Sequence, residues 1–479
     1  MMNPFSCSRP GRLTVAACLA VMVGPVSALD NKDLTFNGMG WVQYGRVVHS
    51  TDTANFDYNG NTMQSSGAQI SFRAHVSEKF EGAAGLGVLE NHYLSGNVIA
   101  SAGGSRVPLI QTPYIAEARF KYSFWKGEGA NLNLTGGLFT FNYNPDVKNL
   151  GLYLLRGPVH PGIVMSGFET KPVLPIANTL GFQLHHETGN FQQDLILNSE
   201  TDLNPFYDVS PAYLLGYQAG SVLRVGAGVN FYRYLPIEPK LTSPSQLSPN
   251  DRDIDTTYGK HPYNRNYIYV DTVNHDTTFI SFKGIKLMAN AAFDPKALFG
   301  GIEILGKEDL KIYGEVALFG LENEKAYKDI YGDYLHRMPV MFGFNLPAFR
   351  LLDNLSLEME WYGAKFRDDL TRFYPSAKNY PSPLPVANQD WKRVQDPINP
   401  GISNQGVPWS IADLEQNLKK DNWKWSLYGS REIQGHFRVS FQLANDHLRP
   451  GGTVGYASGE AILSAPKDWY WMTKLAYFF

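Results

Sequence analysis

The chain has 479 residues, a formal net charge of −3 and 18% charged residues. The nearly neutral charge excludes a basic protein that binds nucleic acid electrostatically, and the 43% of hydrophobic residues excludes a largely disordered chain. A mean hydropathy of −0.26 excludes a bundle of membrane helices. Several soluble domains or one large β-architecture remain.

The N-terminus has the three parts of a signal peptide. Two arginines precede an apolar run over 13–24, and the small-residue sequence Val26-Ser27-Ala28 follows it. We therefore predict that residues 1–28 direct export and that cleavage occurs after Ala28. Both cysteines of the chain lie in this segment, so we expect a mature protein without disulfides. A lipoprotein box ending at Cys18 is the alternative, but the apolar segment before it is short.

Downstream of this segment, apolar and polar residues alternate with a period of two. In 68–76 the even-numbered residues are apolar, and the odd-numbered ones are Gln, Ser, Arg and His. In 114–124 the even-numbered residues are apolar or aromatic, and we predict that they face away from Glu117, Arg119 and Lys121. Because successive side chains of a strand point to opposite faces, this alternation predicts strands with one apolar and one polar face.

The gaps between the predicted strands alternate between short and long, and one short gap, around 294–307, is longer than the others. Tight turns at one end and long loops at the other are typical of a closed antiparallel barrel that crosses an outer membrane. A bilayer forbids open sheet edges, so the sheet must close. We predict about sixteen strands, near 33–48, 67–77, 81–94, 112–125, 131–143, 177–187, 190–200, 211–219, 222–235, 277–294, 308–320, 338–348, 353–366, 422–432, 436–447 and 467–479.

The last predicted strand carries a family resemblance. Its aromatic and apolar residues share one face and end in a terminal phenylalanine, which resembles the C-terminal signature of bacterial outer-membrane β-barrel proteins. The resemblance implies a Gram-negative outer-membrane barrel over 29–479, embedded in lipid and recognised by the barrel-assembly machinery. The residues that match the signature are Trp471, Leu475, Tyr477 and Phe479.

With about sixteen strands, the chain is similar to the porins. That resemblance implies a homotrimer and a third external loop, here 144–176, that folds into the barrel as a constriction. The charges of this loop differ from the acidic constriction loop of the general porins. We predict that 236–276 and 367–421 are long extracellular loops.

Charged residues on the predicted polar faces are candidates for lining a water-filled pore. Rings of such charges select ions by sign, and the basic members of the set favour anionic or zwitterionic solutes. Solvated charges that pair across strands are the alternative. The candidates are Arg73, Glu117, Arg119, Lys121, Arg224, Lys311, Glu315, Glu358, Glu360, Lys424, Arg438 and Lys474.

These observations favour a porin that lets small hydrophilic solutes diffuse through it and selects them by pore width and lining charge. A surface binding or adhesion protein that displays long loops on a barrel is the alternative, and a barrel enzyme such as a lipase is the third hypothesis. We expect no enzyme, because the common catalytic motifs are absent, and we predict no catalytic residues, no cofactor, no metal and no nucleic-acid partner. A calcium loop at 250–255 is weighed against a solvated acidic run, because the glycine of an EF-hand is missing.

Overall fold

The structure is a computed structural model of the chain, and it is all-β apart from short helical turns. In the part that it describes, no helix is both long enough and apolar enough to cross a membrane. The described residues are 33–50, 58–95, 110–127, 129–154, 178–199, 208–232, 234–235, 266–270, 277–281, 284–299, 303–321, 334–361, 423–448, 463 and 465–479.

Sixteen antiparallel strands close into one barrel in the order β1-β18-β17-β16-β15-β14-β13-β12-β9-β8-β7-β6-β5-β4-β3-β2. The prediction of a closed sixteen-stranded barrel with short turns at one end is therefore confirmed. In chain order the strands are β1 Leu34–His49, β2 Thr62–Ser77, β3 Phe80–Ser95, β4 Ile110–Gly127, β5 Ala130–Thr140, β6 Asn178–Thr188, β7 Phe191–Ser199, β8 Val209–Ala219, β9 Leu223–Tyr232, β10 Asn266–Val270, β11 Thr277–Ser281, β12 Gly284–Phe293, β13 Ile312–Leu318, β14 Val340–Asn345, β15 Asn354–Trp361, β16 Trp423–Ile433, β17 Phe437–Asn445 and β18 Trp469–Phe478.

The predicted strand 277–294 is wrong as a single strand. Its first part is β11, which pairs with β10 in a separate two-stranded sheet, and its second part is β12, which pairs with β9 and β13 in the barrel. β10 itself lies within 236–276, which the sequence predicts to be a loop. Alternation shows that a segment is a strand, but it carries no information about a change of partner.

The barrel closes between its first and last strands. The backbones of Gly38 and Phe479 exchange two hydrogen bonds, of 2.7 and 3.0 Å. The ring of Phe479 lies over Gly38, where a Cβ atom would be 2.1 Å from the ring. At Gly45 a Cβ atom would lie 2.6 Å from the backbone oxygen of Trp471. Glycines in β1 therefore allow the two terminal strands to approach each other closely.

The two faces of the barrel wall differ in chemistry. Apolar side chains on the outward face are exposed, for example Phe342 at 53% and Leu475 at 44%. Inward-facing side chains include buried polar and charged groups such as Lys474, Gln442 and Glu358. This division is the inverse of a soluble protein, in which apolar residues are inside.

One part of the predicted division is wrong. The alternation predicts an outward position for Tyr114 and Ala116, but both are buried inside, whereas Ile115 is 54% exposed outside. The register shifts between β3 and β4, so that Gly85 pairs with Glu117 and the next residue of β3 pairs with Ile115. Ala116 is thus the extra residue of a β-bulge, which reverses the faces of the strand before it.

Candidate functional site in the barrel lumen

The chain turns into the barrel after β5. We call residues 144–154 the inner segment. Seven strands separate β5 from β15 in either direction around the ring, so β15 lies on the opposite wall. The inner segment makes hydrogen bonds with side chains of β13 and β15 and therefore crosses the lumen.

Six consecutive backbone N–H groups of the inner segment, from Lys148 to Tyr153, donate to three glutamates. Glu358 accepts hydrogen bonds from the first three, at 2.6, 2.8 and 2.9 Å. Glu360 accepts the N–H of residue 151 at 3.0 Å. Glu315 accepts those of residues 152 and 153, at 3.0 and 2.8 Å. All three glutamates are at most 3% exposed, so the backbone donors take the place of water around the carboxylates.

Two residues with positive φ allow this arrangement. Gly151 has φ of 79° and Leu152 has φ of 59°, in the left-handed region. A left-handed turn lets successive N–H groups converge on the same side of the chain, which forms a concave site for anions. A side chain at Gly151 would also meet Glu315, because its Cβ would lie 3.1 Å from a carboxylate oxygen.

Other polar contacts hold the middle and the C-terminal end of the inner segment. The ammonium of Lys286 donates to the carbonyls of Tyr153 and Leu154, at 2.9 and 2.7 Å. The amide of Asn149 donates to Asp446 at 2.8 Å. Acidic side chains of the barrel and the ammonium of Lys286 therefore fix the inner segment at several points.

The glutamates have partners on the wall as well. The hydroxyl of Tyr313 donates to Glu358 at 2.9 Å, and His447 lies 2.9 Å from Glu360. These partners orient the carboxylates, which then receive the inner segment in one position.

The apolar side chains of the inner segment form part of a buried cluster. Burial raises the pKa of the neighbouring Tyr143 hydroxyl above its ordinary value, and the charge of Glu315 adds to the shift. The inner segment is held both by the packing of its apolar side chains in this cluster and by the hydrogen bonds of its backbone. The cluster contains Val147, Leu150, Tyr153, Leu154, Ile196, Ala212, Leu214, Met288, Ala292, Tyr313, Ala317, Phe319 and Met341.

Asp146 connects the inner segment to two predicted lining residues. Its carboxylate pairs with Arg224 and lies 3.3 Å from the ammonium of Lys311. Lys311 also pairs with Glu308 at 2.9 Å. The structure therefore brings five of the twelve candidates, Arg224, Lys311, Glu315, Glu358 and Glu360, together around one short segment.

A second group of candidates lies on β2 and β4. Arg119 pairs with Glu81 at 3.0 Å and with Glu117 at 3.3 Å. Arg73 lies 3.4 Å from the same Glu81. Lys121 follows on the same face of β4. Glu81, which was not among the candidates, thus links the arginines of two strands, and this wall is a network of paired charges.

The remaining basic candidates have partners elsewhere. Lys424 donates to the carbonyl of Leu463 at 2.7 Å, and Arg438 pairs with Glu432 at 3.1 Å near the short-turn end. Lys474 is buried on the inward face of β18.

The signature residues of β18 lie on its outward face. Leu475, Tyr477 and Phe479 are exposed, at 44%, 42% and 63%. Trp471 contacts the ring of Tyr44 with 5.6 Å between centroids. Tyr477 packs against its neighbours on the same surface.

Sequence reasoning missed several residues of the site. Asp446 and His447 follow β17, and Tyr313 lies on β13 in a row with Glu315. Period-two alternation gives the inward parity of Tyr313, but no local pattern shows that these side chains meet residues of the inner segment.

Among the described residues no group of His, Cys, Asp and Glu could hold a metal ion. The predicted signal peptide, the calcium candidate at 250–255 and the predicted loop 367–421 lie outside the described residues.

No family model matches the chain, and no curated protein matches it. Comparison with solved structures finds porins. A double mutant of the Rh. blastica porin is 8% identical, with a TM-score of 0.41, and the match covers 93% of this chain and 100% of that one. A triple mutant of the Rhodopseudomonas blastica porin gives the same identity and coverage with a TM-score of 0.39. This is a loose likeness, and the fold of the present chain rests on its own strand registers.

Proposed function

We propose that this protein is an outer-membrane channel through which small hydrophilic solutes diffuse passively. The observation that carries the proposal is the inner segment, whose six successive N–H groups bind three glutamates of the opposite wall. A segment fixed in this way narrows the lumen at a defined level.

The chemistry of the two wall faces supports a membrane position. Exposed apolar side chains on the outside suit lipid, whereas charged pairs such as Arg119 with Glu81 suit water inside. Backbone groups in lipid need internal partners, and the closed ladder of sixteen strands supplies them.

Selection by the channel would follow from width and lining charge. Glu315, Glu358 and Glu360 are buried beneath the inner segment, so they do not present free negative charge to a solute. Arg73, Arg119 and Lys121 remain on the facing surface of β2 and β4, with Glu81 and Glu117 between them. A solute with both signs of charge, or a small anion, is the best match for such a surface.

Single-channel recording in a planar bilayer tests the proposal. We expect discrete conductance steps with a linear current–voltage relation. In a salt gradient we expect a reversal potential displaced towards the equilibrium potential of the anion. Purified, correctly folded protein that gives no conductance at any voltage would refute the channel. A reversal potential near zero would refute only the anion preference.

Export and assembly belong to the same proposal. We infer that residues 1–28 are removed and that Trp471, Leu475, Tyr477 and Phe479 form the sequence recognised during barrel assembly. The exposure of Leu475, Tyr477 and Phe479 on the outside of the barrel supports the second inference. We also propose a homotrimer, and cross-linking of the purified protein, which should yield a three-subunit species, tests it.

A further inference from the structure

Two turns at the short-turn end of the barrel expose a group of large apolar side chains. The first turn joins β12 to β13 and contains the short helix Pro295–Phe299, and the second joins β14 to β15. The exposed fractions of these five apolar side chains lie between 52% and 78%. We call this group the apolar shelf; it consists of Leu298, Phe299, Ile304, Phe349 and Leu351.

The two turns are locked together, so the shelf is a built surface. The carboxylate of Asp309 accepts the N–H of Gly306 in its own turn at 2.8 Å and that of Phe349 in the other turn at 3.1 Å. The amide of Asn345 donates to the carbonyl of Glu308 at 2.9 Å. Asp309 and Asn345 are each 1% exposed. The polar side of the paired turns is therefore buried, and the apolar side is left outside.

Backbone strain marks the same place. Phe349 and Arg350 both have positive φ, 49° and 61°, at the tip of the second turn. Such a pair of conformations is usually filled by Asn and Gly, because side chains with a Cβ are disfavoured there. Sparsely populated backbone conformations persist only where the surrounding structure holds them in place. Here they place a phenylalanine and an arginine side by side at the surface.

The outward face of β14 leads from the barrel wall to the shelf. Phe342 is exposed on that face, and the second turn begins three residues later, where the strand ends. Lys307 and Arg350 are exposed beside the shelf. Glu303 is an exposed carboxylate of the first turn. Apolar side chains edged by cationic ones are typical of surfaces that lie at the boundary of lipid headgroups and acyl chains.

We propose that the apolar shelf inserts into the headgroup layer of the leaflet at the short-turn end of the barrel. The turns would thereby anchor the wall of β12–β15 to lipid below the level of its strands. The Nε of Arg350 donates to the carbonyl of Leu305 at 3.4 Å, and the terminal nitrogens of its guanidinium would meet lipid phosphate. This inference goes beyond conduction, but it depends on the membrane position proposed above.

Site-specific fluorescence tests the proposal, because the only cysteines of the chain lie within the proposed signal peptide. Phe299→Cys and Leu351→Cys are labelled with an environment-sensitive dye and reconstituted at low density in phosphatidylethanolamine–phosphatidylglycerol vesicles. Lys79→Cys in the β2–β3 turn is the control for water, and Phe342→Cys is the control for lipid. A heat-dependent shift on a detergent gel shows that each variant is folded.

We expect dyes at 299 and 351 to emit at shorter wavelength than the dye at 79. We also expect a nitroxide at headgroup depth to quench the dyes at 299 and 351. Iodide should quench them several-fold less than it quenches the dye at 79. Water-like emission at 299 and 351, with 342 in lipid, would overturn the proposal. Shielding that appears only at high protein density would assign the shelf to a second copy of the chain and would overturn it as well. Water-like emission at 342 would instead remove the membrane position, and the shelf proposal would fall with it.

Discussion

Three buried glutamates hold the inner segment in its position across the lumen. Glu315, Glu358 and Glu360 have no water-exposed surface of note, and a buried carboxylate is costly unless hydrogen bonds stabilise it. The backbone of the inner segment supplies six such bonds, so the wall and the segment stabilise each other.

Glu358→Gln tests this dependence. The substitution replaces an oxygen that accepts N–H groups with an NH₂ group that repels them, and each charge-assisted bond lost costs about 1.5–3 kcal/mol. We expect larger and noisier single-channel conductance, because the inner segment is released from the wall.

The matched control is Glu117→Gln, which alters a lumen glutamate paired with Arg119 and without a described contact to the inner segment. It should leave the mean conductance step and its noise nearly unchanged. Equal effects of both variants would contradict the role assigned to Glu358.

Gly45→Ala tests the junction of β1 and β18. The new Cβ atom would meet the backbone oxygen of Trp471 at 2.6 Å, and backbone atoms cannot move aside cheaply. Overpacking of this kind costs about 1–3 kcal/mol. We expect the folded band on a detergent gel to be lost at a lower temperature. Gly40→Ala in the same strand has open space, with its nearest atom at 3.9 Å, and should behave like the native protein.

At the scale of elements, the bulge at Ala116 decides what β4 presents to each side. Before the bulge, Tyr114 faces the lumen and Ile115 faces outward, and after it Glu117 and Arg119 face the lumen. The sequence pattern of β4 predicts a single uninterrupted alternation. Small and aromatic residues occur on both sides of the bulge, so hydrophobicity alone gives no sign of the inserted residue.

Ile115→Lys distinguishes the two assignments. If residue 115 faces lipid, a lysine there costs up to about 2–4 kcal/mol, depending on depth. We expect a clear loss of folding stability in lipid, measured by urea titration. Gln192→Lys, at an inward and exposed position of β7 opposite Glu187, should have little effect. Full stability of Ile115→Lys would restore the assignment made from the sequence.

At the scale of the whole molecule, stability comes from closure. Each barrel strand is hydrogen-bonded on both sides, and the last residue of the chain is paired with Gly38 of β1. Barrels of this kind open only when the whole ladder is broken, since no free edge is available from which to unravel.

Detergent gels test whether the protein forms a closed barrel, and mass spectrometry tests where the exported protein begins. We expect the unboiled protein to migrate differently from the boiled protein, and the exported protein to begin at Leu29. Identical migration, together with recovery in the soluble periplasmic fraction, would contradict a membrane barrel. An N-terminus at Cys18 carrying lipid would contradict the predicted cleavage after Ala28.

The sequence by itself determined the strands and most of their faces. Period-two alternation is a local property, and it located the sixteen barrel strands, although it merged β12 with β11 of the separate sheet. The alternating gap lengths predicted which ends carry loops. It also placed Glu315, Glu358 and Glu360 on the inward face. Only the tertiary structure decided that these glutamates bind the backbone of 148–153. That contact joins residues more than a hundred and fifty positions apart and uses N–H groups, which every residue except proline has, so no side-chain pattern records it.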